Sequence, residues 1–213
     1  MLSPQNASRR TREICGMAPI IPVLVVEDPA HAAPLAKALI AGGLPVLEVT
    51  LRTPAALEVI AEMSGVAGGI VGAGTIVSPA DVTASLAAGA QFGVSPGATD
   101  MILEAAEQQE LPMLPGAASA SEAMALLSRG YDMLKFFPAE AAGGVPFLKS
   151  LSSPLPQISF CPSGGVGPAN AKDYLSLPNV LCAGGSWVAP GDLVKAQDWE
   201  GITALARDAF QLP

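Results

Sequence analysis

The segment DMLKFFPAE, residues 132–140, places a lysine in the middle of an apolar run. A strand of this composition should be buried, and lysines are almost never fully buried without a partner or a role. Lys135 is therefore the first candidate for chemistry. Burial disfavours the ammonium form of a lysine, which makes the amine a better nucleophile near neutral pH. Such an amine can attack a ketone carbon and form a Schiff base.

A second polar group lies in the strand-like segment LEVTLRT, residues 47–53. Side chains alternate along a strand, so Glu48, Thr50 and Arg52 share one face and the apolar residues share the other. We expect Glu48 to lie near Lys135 and move protons, and Arg52 to bind the carboxylate of a 2-keto acid through two hydrogen bonds. The alternative is that Lys135 and Glu48 form a buried ion pair that only fixes strand register.

Glycine pairs follow the last two apolar runs of the chain, in SGGVG at residues 163–167 and GGSW at residues 184–187. Glycine lets backbone N–H groups approach the oxygens of an anion closely, and Ser163 and Ser186 add hydroxyl donors. Barrel enzymes commonly build a phosphate site from the loops after strands seven and eight. The two segments together predict a phosphate site.

These residues need a framework, and the chain supplies eight short apolar runs that alternate with helical segments. Helical segments open with Ser, Thr or Asp, often followed by Pro, and several end at Gly. The pattern predicts an α/β fold, a (β/α)8 TIM barrel in one domain over residues 1–213. A doubly wound open sheet also alternates, but eight regular units without a linker favour closure. The runs cover residues 20–26, 45–51, 68–76, 90–96, 111–116, 132–138, 158–165 and 180–187.

The first predicted strand is preceded by a basic segment, SRRTRE at residues 8–13. A basic segment before an apolar one can belong to a secretory signal. Here the apolar run is short and is interrupted by Pro22, and it has the length of a buried strand. We therefore expect an amphipathic N-terminal helix whose basic residues face solvent.

Composition limits the partners of the protein. The formal net charge is −8, which repels nucleic acid and anionic membranes, so neither is expected as a partner. Three cysteines, Cys15, Cys161 and Cys182, lack metal-site spacing and predict reduced thiols in a cytoplasmic protein. With His31 as the single histidine, no zinc site is expected. We expect no metal and no cofactor.

Six motifs resemble those of one enzyme family: VLEVTLRT, IVGAGT, FGVSPG, KFFPAE, FCPSGG and CAGGSW, in order between residues 46 and 187. The chain resembles the 2-keto-3-deoxy-6-phosphogluconate aldolases, which include bifunctional enzymes that act on 4-hydroxy-2-oxoglutarate. The resemblance implies a class I aldolase barrel, usually a homotrimer. Such an enzyme cleaves a phosphorylated keto acid to pyruvate and glyceraldehyde 3-phosphate through a lysine Schiff base, without metal or cofactor.

The resemblance also implies roles for particular residues. Lys135 would be the Schiff-base lysine and Glu48 the acid–base residue. At Ser163 the chain departs from the threonine expected in the family motif, but the hydroxyl is kept. The substrate-binding residues would be Arg52, Thr75, Pro96, Phe137 and Ser163, and the phosphate-binding residues Gly164, Gly165, Gly184, Gly185 and Ser186.

Three other functions stay open at this point. An aldolase specific for the phosphogalactonate epimer would use the same residues. A phosphosugar isomerase or epimerase on the same barrel would use Glu48 as a base and Lys135 only as its electrostatic partner. A barrel that only binds phosphate would keep both residues as a structural pair.

Overall fold

Parallel strands alternate with helices along the computed structural model, which describes residues 1–213. The strands are β1 (Ile20–Leu24), β2 (Val46–Thr50), β3 (Ile70–Gly74), β4 (Phe92–Val94), β5 (Met113–Leu114), β6 (Gly116–Ala117), β7 (Met133–Phe136), β8 (Ser159–Pro162) and β9 (Ala183–Gly185). The helices are α1 (Pro4–Cys15), α2 (Ala32–Ala41), α3 (Ala56–Ser64), α4 (Pro79–Ala87), α5 (Asp100–Gln108), α6 (Ala120–Arg129), α7 (Gly144–Leu151), α8 (Ala171–Leu175), α9 (Gly191–Ala196) and α10 (Trp199–Phe210), with a 3₁₀ turn at Pro29–His31.

The strands form a closed ring. One part has the order β5-β4-β3-β2-β1-β9 and the other the order β6-β7-β8. The fifth predicted strand is split into β5 and β6 because Pro115 has no N–H for the ladder, although its carbonyl still accepts from Lys135 N at 2.9 Å. Between β8 and β9, bridges at Phe160–Val180 and Ser163–Gly184 close the ring. The predicted α/β barrel is confirmed.

Local sequence explains where several elements begin and end. Ser78 and Asp81 form a reciprocal capping box at the start of α4. The C-terminal segment contains two helices, α9 and α10. Gln197 adopts a left-handed conformation between them, and the Asp198 side chain caps α10 by accepting from Gly201 N at 2.9 Å.

The core has two layers. A large apolar cluster lies between the strands and the surrounding helices, and a smaller one fills the barrel interior. The predicted N-terminal helix is present as α1. Its residue Cys15 belongs to the interior cluster, while Arg9 and Arg10 are exposed. The Arg12 guanidinium donates to the Asp132 carbonyl at 3.0 Å and to the Ser159 hydroxyl, which holds α1 against the strand starts.

No helix combines the length and the apolar character that crossing a bilayer requires.

Candidate active site

A cavity of about 360 Å³ opens at the carboxyl ends of the strands. The sequence places twelve candidate residues at this end of the barrel, and the structure brings all of them except Gly185 into the cavity wall. Its lining residues are Val23, Glu48, Thr50, Arg52, Thr75, Pro96, Lys135, Phe137, Ser163, Gly164, Gly165, Val166, Gly184 and Ser186.

Lys135 and Glu48 meet inside the barrel. Lys135 Nζ lies 3.1 Å from Glu48 Oε1, and the two side chains are 8% and 5% exposed. Lys135 lies on β7 and Glu48 on β2, and both side chains point into the barrel interior. A Cβ at Gly74 would overlap the Glu48 carboxylate, so the glycine in GAGT makes room for this side chain. The Phe137 ring lies 5.4 Å from Lys135 Nζ.

The rim on the side of β2 and β3 carries Arg52 and Thr75. Arg52 is exposed and makes no ion pair, so its guanidinium is free for an anion. Thr75 has a φ of 63°, in the left-handed region that β-branched residues avoid. Backbone strain of this kind clusters at functional sites. Thr50 has a structural role, because its hydroxyl donates to the Leu24 carbonyl at 2.8 Å.

The predicted phosphate-binding residues lie at the other side of the cavity. Gly164 and Gly165 have φ values of 92° and 84°, which side chains rarely adopt. A Cβ at Gly184 would lie 2.9 Å from Ser163 Oγ, so this glycine lets the two loops approach closely. Gly185 is not among the lining residues, and a Cβ there would overlap the indole of Trp187. Its part in a phosphate site stays a prediction.

Three buried cysteines, Cys15, Cys161 and Cys182, lie in the barrel interior, and none of them lines the cavity. Cys161 is the register partner of Lys135, and all three belong to the interior cluster. Hydrogen bonding to Cys161 raises the pKa of Cys15, hydrogen bonding to Cys15 and Cys161 raises that of Cys182, and burial adds to both shifts. Hydrogen bonds from the other two thiols lower the pKa of Cys161. They remain free thiols, and no group of three or more His, Cys, Asp or Glu side chains could hold a metal ion.

Three lining residues are outside the candidate set: Val23, Val166 and Thr50, of which the sequence places only Thr50 on the inner face. Val23 follows the alternation of the first apolar run, which could have placed it on the inner face with Ile21. Val166 lies within SGGVG, and nothing in that segment indicates which way its side chain points. His31 and Trp199 lie outside this cavity and pack edge to face, with ring centroids 5.9 Å apart.

A closed parallel barrel with a buried lysine beside a glutamate at its carboxyl end defines a TIM-barrel enzyme. Residues 11–205 match the aldolase family described as KDPG and KHG aldolase. The chain belongs to this family, and the protein is thus an aldolase, a carbon–carbon lyase. It is 52% identical over 206 residues to the 2-dehydro-3-deoxy-phosphogluconate aldolase of Pseudoalteromonas atlantica, and the match covers 96% of each chain.

Two solved structures are similar over nearly the whole chain. The 2-keto-3-deoxy-6-phosphogluconate aldolase of Zymomonas mobilis ZM4 with 3-phosphoglycerate is 48% identical, with a TM-score of 0.92 and 97% coverage of each chain. The KDPG aldolase of Legionella pneumophila, with pyruvate captured as a covalent carbinolamine, is 45% identical with a TM-score of 0.91. That match covers 94% of this chain and 98% of the other.

Proposed function

We propose that this aldolase cleaves 2-dehydro-3-deoxy-6-phosphogluconate to pyruvate and glyceraldehyde 3-phosphate through a Schiff base on Lys135. The observation that carries the proposal is the pair of Lys135 and Glu48. These side chains lie 3.1 Å apart, are almost fully buried and line the cavity at the carboxyl ends of the strands. An amine beside a carboxylate in a dry site can exchange its proton and attack a ketone. The carbinolamine in the Legionella enzyme supports this chemistry.

The reaction follows from this geometry. The Lys135 amine attacks C2 of the keto acid, and loss of water from the carbinolamine gives a protonated imine. Removal of the C4 hydroxyl proton then breaks the C3–C4 bond, and the electron pair of that bond enters the imine to give an enamine. Protonation of C3 and hydrolysis of the imine release pyruvate and restore the amine. Glu48 is the one carboxylate in the cavity, and we assign these proton transfers to it.

The two ends of the substrate are proposed to bind on opposite sides of the lysine. Arg52, whose guanidinium is unpaired, holds the carboxylate next to the ketone, with Thr75 and Pro96 beside it. Phe137 covers the reacting carbons. The Ser163–Gly165 loop and the Gly184–Ser186 segment bind the phosphate through N–H and hydroxyl groups. The Zymomonas enzyme was solved with 3-phosphoglycerate, which supports binding of a small phosphorylated carboxylate by this family.

The same site can serve 4-hydroxy-2-oxoglutarate, since the family description includes KHG aldolase. The reacting carbons of the two keto acids carry the same groups, so Lys135, Glu48 and Arg52 would act alike on both. The difference lies beyond C4, where a C5 carboxylate replaces the C5 hydroxyl carbon and the C6 phosphate ester, so the anion lies closer to the reacting carbons. We expect the glycine loops to favour the phosphorylated substrate.

We further propose a homotrimer in the cytoplasm. The exposed apolar side chains of Val77 and Met101, 61% and 67% accessible, offer surface for contacts between subunits. The three free thiols are typical of a reducing compartment. Size-exclusion chromatography with light scattering would test the oligomer directly, because a trimer has three times the 21.5 kDa mass of the chain.

The decisive experiment is reductive trapping with pyruvate and borohydride, followed by peptide mass spectrometry. An imine is required for trapping, so we expect one adduct, on Lys135, and loss of cleavage activity. Lys149→Met removes an exposed lysine outside the cavity and should trap pyruvate as the original protein does. An isomerase or a phosphate-binding barrel would give no adduct. An adduct on Lys37, Lys149, Lys172 or Lys195 would contradict the assignment.

A further inference from the structure

The phosphate loop is held from behind by residues outside the cavity. All three carbonyls of Ser163, Gly164 and Gly165 accept hydrogen bonds from residues that do not line the cavity. Ala139 N donates to the Ser163 carbonyl at 2.8 Å, and Glu140 N donates to the Gly164 carbonyl at 3.1 Å. The third carbonyl, that of Gly165, accepts from the side-chain amide of Asn170 at 3.0 Å.

Two N–H groups of the same loop remain free. Those of Gly165 and Val166 have no acceptor in the protein. A peptide unit has its C=O and N–H on opposite sides, so fixing the carbonyls behind the loop turns the N–H groups the other way. Unpaired backbone N–H groups at a cavity wall are the donors that bind phosphate oxygens.

Asn170 is unusual because its side chain serves the loop instead of its own helix. It occupies the N-cap position of α8, where Asn normally accepts from the first helical N–H groups, but it makes no such bond. Its Oδ1 accepts from Gly167 N at 2.8 Å while its Nδ2 donates to Gly165. One side chain therefore fixes both ends of the turn after the glycine pair.

Glu140 is fixed in turn by Tyr174. The fully buried Tyr174 hydroxyl donates to Glu140 Oε1, and the Glu140 side chain packs directly against Gly165, where a Cβ would overlap it. Burial and this hydrogen bond raise the pKa of Tyr174, so the phenol stays protonated and keeps donating. The carboxylate is thereby kept behind the loop and away from the incoming phosphate.

We infer that Asn170 and the Tyr174–Glu140 pair are positioning residues that set phosphate affinity by orienting the 163–166 loop. The inference rests on the proposed function, in which this loop binds the substrate phosphate. None of these side chains lines the cavity, so they act through the loop and touch no reacting atom. Their loss should weaken binding of the phosphorylated end and leave Schiff-base formation at Lys135 intact.

The test is Asn170→Ala, with steady-state kinetics on the phosphorylated keto acid and the rate of pyruvate trapping by borohydride as two readouts. We expect KM to rise about tenfold with kcat nearly unchanged, because the two hydrogen bonds by which Asn170 orders the loop are lost. Pyruvate carries no phosphate, so its trapping rate should not change. Absence of trapping in the unmodified protein would refute the Schiff-base proposal instead, which separates the two failures.

Asn179→Ala is the matched control. Asn179 also donates from Nδ2 to a backbone carbonyl, that of Leu148 at 2.9 Å, but does not contact the loop. It should lower stability and leave KM unchanged. Equal KM changes in the two variants, or an unchanged KM in Asn170→Ala, would overturn the inference.

If Asn170→Ala does not fold, Tyr174→Phe carries the same test. Its control is Tyr131→Phe, since Tyr131 likewise donates to a glutamate, Glu107, at 3.1 Å and lies outside the cavity. We expect KM to rise about threefold in Tyr174→Phe and not in the control. The effect is smaller than that of Asn170→Ala because the Tyr174–Glu140 bond acts on the loop indirectly, through Glu140. A kcat loss without a KM change, or equal effects in both tyrosine variants, would exclude a positioning role.

Discussion

The two ends of the barrel differ in what they bury. At the amino end, α1 covers the strand starts, and the interior beside it holds Cys15, Cys161 and Cys182 among aliphatic and aromatic side chains. At the carboxyl end, the interior holds the Lys135–Glu48 ion pair and opens to solvent through a polar rim. Apolar packing therefore fills the amino end, and the carboxyl end holds the ion pair, whose burial costs free energy.

Physical chemistry explains this division. Burying an ion pair costs free energy of desolvation, and the attraction between the two charges offsets only part of that cost. Such a pair is therefore expected where a function requires it and where rigid surroundings hold it in place. A close-packed apolar layer supplies that rigidity. The left-handed φ of Thr75 also lowers the stability of the folded protein at the mouth of the cavity. Changes at the mouth should therefore alter activity more than stability, and changes at the amino end should do the reverse.

The largest expected effect is that of Lys135→Met at the mouth. Without the amine no imine can form, so cleavage should fall by at least about a thousandfold. Methionine has a similar volume, and the fold should persist, with unfolding free energy lower by about 3 kcal/mol because Glu48 loses its partner. Cleavage assays and urea unfolding measure the two effects, with Lys149→Met as control. A variant that fails to fold would indicate that the pair is structural.

The second prediction concerns access of a reagent to the three thiols at the amino end of the barrel. The thiols of Cys15, Cys161 and Cys182 are 2%, 3% and 0% exposed, so a thiol reagent must wait for the barrel to open. Reaction with Ellman's reagent should be at least about a thousandfold slower in the native protein than in urea, where all three thiols should react. Rapid reaction of any one thiol without denaturant would show that α1 does not seal this end.

A smaller effect is expected from Arg12→Ala on α1. The change removes the bonds to Ser159 and to the Asp132 carbonyl, and the exposed ion pair with Asp132 adds little. We expect urea unfolding to show a loss of about 1 to 2 kcal/mol, while kcat/KM stays unchanged. Arg9→Ala, on the same helix without an ion pair, should change neither quantity. A fall in kcat/KM would mean that the two ends are coupled.

The smallest expected effect is that of Thr75→Gly. Glycine adopts a φ of 63° without strain, so the unfolding free energy should rise by about 1 kcal/mol. Catalysis should nevertheless fall, because the hydroxyl beside the substrate is lost. Gln197→Gly relieves a similar conformation, with a φ of 55°, away from the cavity and should stabilise the protein without any loss of activity. Lower stability in Thr75→Gly would show that its side-chain packing outweighs the strain.

Alternation in the sequence was enough to group Glu48 with Arg52 and to place Lys135 on an inner face, because the strand period of two is a local property. Local rules also marked Ser78 as a helix start. They did not indicate the split of the fifth strand at Pro115 or the helix break at Gln197. Both features depend on the backbone hydrogen bonds that form in the folded protein. Local rules also did not indicate that Gly185 packs against Trp187 and lies outside the cavity lining.

The sequence by itself determined the alternation of strand and helix, the buried lysine and the family to which the motifs belong. The tertiary structure alone decided that Lys135 and Glu48, which are 87 positions apart in the chain, lie 3.1 Å from each other. It also decided that the Asn170 side chain turns back to the glycine loop instead of capping its helix. Contacts of this kind depend on ring closure, which fixes distances between residues that no local pattern relates.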